Sequence, residues 1–160
     1  MQQIRVLFIC MGNICRSPTA EAVFRHCVAA AGLQDKIFSD SAGTHDYHIG
    51  EPPDARAQRA ALRRGYDMSG LRGRQVSTRD FEVFDYVLAM DRANLHLLEQ
   101  QCAPENSHKL LLFMKFTENA QEHEVPDPYY GEAQGFEQVL DMVEDAAQGL
   151  LRHIRDKLPG

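Results

Sequence analysis

The chain has 160 residues, 44% hydrophobic and 25% charged, with 17 Lys and Arg against 23 Asp and Glu, a formal net charge of −6 at pH 7. That size suits a single domain spanning residues 1–160, which buries about 70% of its unfolded surface and needs no covalent staples. The acidic balance argues against non-specific nucleic-acid binding by the chain as a whole, and no stretch approaches the ~18 consecutive apolar residues of a membrane span.

Residues 5–9, Arg-Val-Leu-Phe-Ile, form a short apolar run of β-formers that suits a strand buried on both faces. It leads into Cys10-Met11-Gly12-Asn13-Ile14-Cys15-Arg16-Ser17-Pro18. Residues 18–31 then read as a helix, with Ser17 as N-cap, Pro18 at the first helical position and Gly32 just past the end. Similar units follow: a strand at 36–39, a helix at 53–64 closed by Gly65, a strand at 85–89, a helix at 92–101 and a strand at 109–114. Phe136, Val139, Leu140, Val143, Ala147, Leu150, Ile154 and Leu158 recur at three- and four-residue spacing, one face of a long C-terminal helix. Strands alternating with helices predict an α/β fold, a doubly wound open sheet of four parallel strands with flanking helices. In such sheets ligands bind outside the carboxyl ends of the strands. The segments 42–53 and 117–135 lack regular patterns and are candidates for the walls of such a site.

The loop after the first strand is the chemical feature. A strand-to-helix loop aims backbone N–H groups at one point, and the helix N-terminus adds roughly half a positive charge. The Walker pattern for nucleotide phosphates is absent. Instead a cysteine opens the loop and an arginine closes it, C-x5-R-S. A thiol among such donors is expected to have a depressed pKa, and only the thiolate is a strong nucleophile. Arg16 offers a planar fork for two oxygens of a tetrahedral anion. Ser17 can donate to the thiolate or cap the helix, while Gly12 and Asn13 tolerate the positive φ of a tight nest. A cysteine ending a buried strand is more often a small core residue than a nucleophile. The compound pattern, with Pro next, outweighs that reading.

The four cysteines, at 10, 15, 27 and 102, form no C-x-x-C pair, and the seven histidines show no metal-ligand spacing. No metal or organic cofactor is expected. His45 and His48 are placed near the mouth of the site. The apolar run at 6–10 is too short for a secretory signal, so a cytoplasmic location with reduced thiols is expected. Charge is uneven: residues 51–79 hold seven Arg against three acids, and 117–160 hold ten acids against three bases. Two solvated helix faces would account for this. The sharper reading is a basic rim beside a site for anionic ligands.

Residues 6–18, VLFICMGNICRSP, resemble the signature loop of the low-molecular-weight protein-tyrosine phosphatases. SDSAGTH (39–45), PPDARA (52–57), AMDRANL (89–95) and VPDPYYG (125–131) follow in that family's order and approximate spacing, over nearly the whole chain. The overall style resembles bacterial members. The resemblance implies that Cys10 is the nucleophile, that Arg16 with Met11, Gly12, Asn13, Ile14, Cys15 and Ser17 binds phosphate, and that Asp127 is the general acid and then the general base. It gives Asp91 a supporting role and makes Asn13 and Ser41 braces of the loop. Tyr47, Tyr129 and Tyr130 would wall a slot as deep as an aryl phosphate, though the family often has Trp at the Tyr47 position. Arg56 anchors the wall or covers a helix face. A reversible Cys10–Cys15 disulfide is also implied, protecting the nucleophile from overoxidation.

The implied reaction is hydrolysis of protein phosphotyrosine and small aryl phosphates through a cysteinyl-phosphate intermediate. Three alternatives share the fold or the loop. Thioredoxin-coupled arsenate reductases need two further relay cysteines after the third strand, where this chain has only Cys102. Protein-arginine phosphatases carry Thr at the Ile14 position and lack the paired tyrosines. A non-catalytic phosphate-binding module would have lost the nucleophile, arginine or acid, and all three are present. The implied partner is a tyrosine-phosphorylated protein, with a bacterial tyrosine kinase of polysaccharide export as a candidate. The oligomeric state is open, a monomer being the default.

Overall fold

The computed structural model describes residues 3–118 and 123–158. In chain order the elements are β1 (Ile4–Cys10), α1 (Arg16–Ala30), β2 (Ile37–Gly43), α2 (Ala55–Arg63), α3 (Thr78–Val83), β3 (Tyr86–Ala89), α4 (Arg92–Gln101), β4 (Leu110–Leu112) and α5 (Ala133–Arg155). The four strands form one parallel sheet in the order β2-β1-β3-β4. β1 is central, and its residues Val6 to Cys10 are buried throughout, as its unbroken apolar run requires.

Alternate side chains of β1 serve opposite faces. Val6 and Phe8 face a core with Phe24 of α1 and Val143, Leu150 and Ile154 of α5. Phe8 sits between Phe24 and Phe113, edge to face, with ring centroids 5.6 and 5.1 Å away. Leu7 and Ile9 face a second core with Phe81 and Phe84 around α3 and Leu98 of α4. The apolar stripe read from Phe136 to Leu158 is buried along α5 as far as Ile154, while Leu158 lies past the helix end at Arg155 and is half-buried.

Several boundaries differ from the pattern reading. Helix α1 starts at Arg16 rather than Pro18, with Cys15 at the N-cap and no side-chain cap. Ser17 is therefore inside the first turn, and its hydroxyl is directed at Cys10 instead of a helix N–H. Gly32 does take the left-handed conformation expected past a helix end, φ 72°. β2 runs on to Gly43 because it pairs with β1 along its full length, which overrides the polar Ser39-Asp40-Ser41. β4 is only three residues, since Phe113–Phe116 turns into a 3-10 helix. Asp54 caps α2 by accepting from the N–H groups of Arg56 and Ala57. α3 is too short for its periodicity to be read; it is closed by a capping box between Ser77 and Asp80. Part of the irregular segment 117–135, residues 119–122, lies outside the described residues.

The uneven charge is largely consumed where α2 meets α5. Arg63 pairs with Glu137 at 2.9 Å, and Arg64 reaches Glu137, Asp141 and Glu144 at 2.9, 2.9 and 2.6 Å. Gly149 of α5 lets the helix lie directly on the Phe116 carbonyl, which a Cβ would strike. Alanine is the better helix former by about 1 kcal/mol, yet Gly149→Ala is expected to destabilise the fold by about 1–3 kcal/mol through that collision. Urea unfolding monitored by circular dichroism measures the sign.

Candidate active site

β1 ends where the sheet delivers it to a tight loop. Cys10 lies opposite Gly43 of β2, and the carbonyls of Cys10 and Met11 accept from the N–H groups of Thr44 and His45. Asn13 then adopts φ 59°, the only left-handed non-glycine residue among those described. The Ile14 carbonyl accepts from the Asp54 N–H, which ties the loop to the start of α2.

Asn13 holds that conformation through its side chain. Its Oδ1 accepts the backbone N–H of Arg74 at 3.0 Å, a group that can only donate. Its Nδ2 must then face the two hydroxyls it touches, Ser17 at 2.8 Å and Ser41 at 3.0 Å. Both hydroxyl oxygens accept from Asn13, so each hydroxyl proton must go elsewhere. Ser41 donates to Glu21 Oε1 at 2.7 Å. Ser17 lies 3.0 Å from Cys10 Sγ and 3.5 Å from the Ala42 carbonyl. A neutral Cys10 thiol can donate to Ser17 while Ser17 donates to Ala42; a Cys10 thiolate has no proton, and Ser17 is then the donor to the sulfur. Glu21, with 3% of its side chain exposed, pairs with Arg25, and burial raises its pKa against the Ser41 and Arg25 contacts.

Arg16 is 2% exposed. Its Nη1 donates to Asp91 Oδ2 at 2.6 Å and to the Val125 carbonyl at 2.9 Å. Its Nη2 lies 3.7 Å from Asp127 Oδ2. Burial alone would lower the Arg16 pKa, but Cys10, Asp91 and Asp127 hold it above its ordinary value. Asp91 uses its other oxygen to cap α4, accepting from the Asn94 N–H at 2.8 Å. The segment carrying Asp127 is pinned beside the loop. Val125 N–H donates to the Met90 carbonyl, and Arg56 Nη2 donates to the Tyr129 carbonyl at 3.0 Å. Arg56 thus anchors the wall.

Together these elements enclose a cleft of about 160 Å³ lined by Cys10, Met11, Gly12, Ile14, Cys15, Arg16, Tyr47, His48, Asp127, Tyr129 and Tyr130. Asn13, Ser17, Ser41 and Asp91 stand behind it. Tyr47 stacks on His45 with centroids 5.0 Å apart, and Tyr129 meets Tyr130 edge to face at 4.9 Å. Tyr130 is 91% exposed, a rim residue rather than a buried wall. The Tyr47 wall is held by a ladder in which Gly50 N–H donates to the Gly73 carbonyl and Gly73 N–H to the Glu51 carbonyl. A side chain at Gly73 would strike the His48 carbonyl. Cys15 is buried, and burial, then the charges of Asp54, Cys10 and Asp127, push its thiol far up against the pull of Arg56. Among the described residues no three His, Cys, Asp or Glu converge as a metal-binding group, and no helix is long and apolar enough to cross a membrane.

Pattern reading missed Glu21, the Arg74 backbone and the Val125 carbonyl. Glu21 reads as one more charge on a helix. The other two act through the main chain, which leaves no mark in residue type.

A family model described as "Low molecular weight phosphotyrosine protein phosphatase" matches residues 5–159. A Bacillus subtilis protein named low molecular weight protein-tyrosine-phosphatase YfkJ is 41% identical over 95% of this chain and 96% of its own. The crystal structure of a protein tyrosine phosphatase from Entamoeba histolytica with Hepes in its active site superposes with a TM-score of 0.94. It is 39% identical and covers 98% of this chain and 100% of its own. A Drosophila arginine phosphatase superposes with a TM-score of 0.89 at 33% identity, covering 95% and 98% of the two chains.

Asp91→Asn preserves an oxygen to cap α4 but turns an N–H toward Arg16. Affinity for inorganic phosphate, measured by titration calorimetry, is expected to fall about ten-fold, the size of one hydrogen bond between charged groups. An unchanged affinity means that Asp91 does not hold Arg16 in its binding pose.

Proposed function

Because the chain belongs to the low-molecular-weight phosphotyrosine protein phosphatases, hydrolases that act on phosphotyrosine in proteins, we propose that Cys10 is its nucleophile, Arg16 its phosphate-binding cation and Asp127 its general acid and base. The observation that carries this reading is the convergence of the three on one cleft, with Arg16 Nη2 3.7 Å from the Asp127 carboxylate. The Cys10 sulfur attacks phosphorus in line while Arg16 and the N–H groups of residues 11–17 hold the equatorial oxygens. The bond from phosphorus to the tyrosyl oxygen breaks, and Asp127 gives that oxygen its proton. Water then attacks the cysteinyl phosphate, Asp127 takes a proton from it, and the sulfur leaves as thiolate. The Ser17 hydroxyl, 3.0 Å from Sγ, donates to the thiolate and so stabilises the sulfur as nucleophile and as leaving group.

Tyr47 and Tyr129 flank the phenyl ring of the substrate, and the exposed Tyr130 meets the surrounding polypeptide. The likeness to the arginine phosphatase supports a guanidino-phosphate substrate less well. Ile14 and the Tyr129–Tyr130 pair line the cleft and suit a flat apolar ring. The protein substrate we assign is tyrosine-phosphorylated, and a bacterial tyrosine kinase of polysaccharide export is the candidate that the bacterial resemblance supports.

Cys15 has a second role in this reading. Peroxide oxidises the Cys10 thiolate to a sulfenic acid and is reduced to water. The Cys15 sulfur then attacks the Cys10 sulfur, an S–S bond forms, and a second water leaves. Burial raises its own pKa, which keeps Cys15 protonated and out of competition with Cys10 for phosphorus.

Two experiments test these assignments. Cys10→Ser is expected to abolish p-nitrophenyl phosphate hydrolysis without added metal, and Asp127→Ala to cut it by a few orders of magnitude. Full activity in Cys10→Ser would sink the mechanism. After peroxide inactivation, dithiothreitol is expected to restore the wild type and to leave Cys15→Ser largely inactive; equal recovery removes the protective role.

A further inference from the structure

Most of the arginines between residues 51 and 79 are spent on the fold. Arg64 is held by three carboxylates of α5, Arg74 bridges Asp40 and Asp80, and Arg72 donates to the carbonyls of Ser69 and Leu71. Arg59 is different. It is exposed on α2, and it makes no hydrogen bond or ion pair among the described residues. It stands between Arg56 and Arg63, at steps of three and four residues, so the three guanidinium groups share one face of the helix. With Ala60 and Phe136 they line a hollow of about 90 Å³.

The hollow abuts the outside of the cleft wall. Arg56 donates to the Tyr129 carbonyl, and its guanidinium lies 5.4 Å from the Tyr129 ring centre and 4.9 Å from that of Phe136. Tyr129 itself lines the cleft. One aromatic side chain therefore separates the catalytic cleft from a basic hollow, on a chain whose net charge is −6. Arg56 is chelated by Asp54 and Arg63 is paired with Glu137, which leaves Arg59 as the unspent charge. The neighbouring guanidinium edges supply further N–H donors, and Ala60 and Phe136 form an apolar floor. A carboxylate on a short aliphatic stem matches that lining. An extended peptide advances about 3.3 Å per residue, so a chain crossing Tyr129 reaches the hollow within roughly two to five residues of the one in the cleft.

We propose that the Arg56–Arg59–Arg63 face of α2 docks an acidic residue flanking the phosphotyrosine of the protein substrate, and so selects substrates with Asp or Glu near the modified tyrosine. This rests on the assignment of the cleft as the phosphotyrosine site.

The test compares phosphotyrosine peptides of equal length, with neutral flanks or with Glu placed two to five residues to either side, using wild type, Arg59→Gln and Arg59→Glu. p-Nitrophenyl phosphate, too small to reach α2, reports the chemistry alone. The wild type is expected to favour the best acidic peptide about five- to ten-fold in kcat/KM at low salt, with the preference shrinking as salt screens it. Arg59→Gln is expected to reduce the preference and Arg59→Glu to remove or invert it, with p-nitrophenyl phosphate hydrolysis within two-fold of wild type. A preference that survives Arg59→Glu overturns the inference. A wild type that cleaves p-nitrophenyl phosphate but treats all peptides alike overturns the docking site alone. One that cleaves neither overturns the assignment of the cleft beneath it.

Discussion

The burial of one guanidinium organises the site. Arg16 is 2% exposed, and a charge taken out of water is tolerated only with partners that replace its hydration. Those partners come from two separate parts of the chain: Asp91, just past β3, and the segment that carries the Val125 carbonyl and, two residues further on, Asp127. Satisfying Arg16 therefore fixes the segment that carries the acid, and fixes it against the loop that carries Cys10. Because Asp91 also caps α4, the same contact links the helix to the site. Removing one partner would leave a buried charge underpaired, which is why the site and the fold around it are hard to separate.

A second layer works by donor logic rather than charge. The Arg74 backbone N–H fixes which way the Asn13 amide faces, and the amide fixes which way both hydroxyls point. Ser41 is thereby committed to Glu21, and the Ser17 proton is left for the Cys10 sulfur or the Ala42 carbonyl. Arg74 is in turn held by Asp40 of β2 and Asp80 of α3. A short helix remote from the cleft thus contributes to holding a hydroxyl beside the sulfur.

What the sequence made legible follows from how local each feature is. The buried β1, the C-x5-R-S loop and the α5 stripe are carried by contiguous residues or by a fixed period, and the structure has them where the pattern placed them. The extension of β2 to Gly43 and the shortening of β4 depend on pairing with neighbours, which single-segment propensity does not contain. The same holds for Ser17. Next to Pro18 it has the local signature of an N-cap, but α1 begins two residues earlier, at Arg16, and the hydroxyl is taken by tertiary partners. Asp127 shows the limit most clearly. Its Asp-Pro context reads as a turn, and its Oδ1 does accept from the Tyr129 N–H two residues on. Only its family context, and now its position beside Arg16, mark it as more than that.

The charge of the cleft differs from the charge of the chain, and the difference bears on turnover. A net charge of −6 is felt weakly beyond a Debye length of about 8 Å at physiological salt, so a phosphate at the cleft is governed by what lies within a few ångströms. There, Arg16 is already shared between Asp91 and Asp127. A cation unopposed by carboxylates would bind the substrate and the released phosphate alike, and uniform binding of that kind does not raise kcat. In the proposed role, an Arg16 whose charge is partly offset would rely on fit, and the equatorial oxygens of the transition state are what its fork would match. The backbone N–H groups of the loop, fixed by Asn13 at φ 59°, add direction without adding net charge. On the proposed assignment the site would hold an anion by orientation more than by excess positive charge.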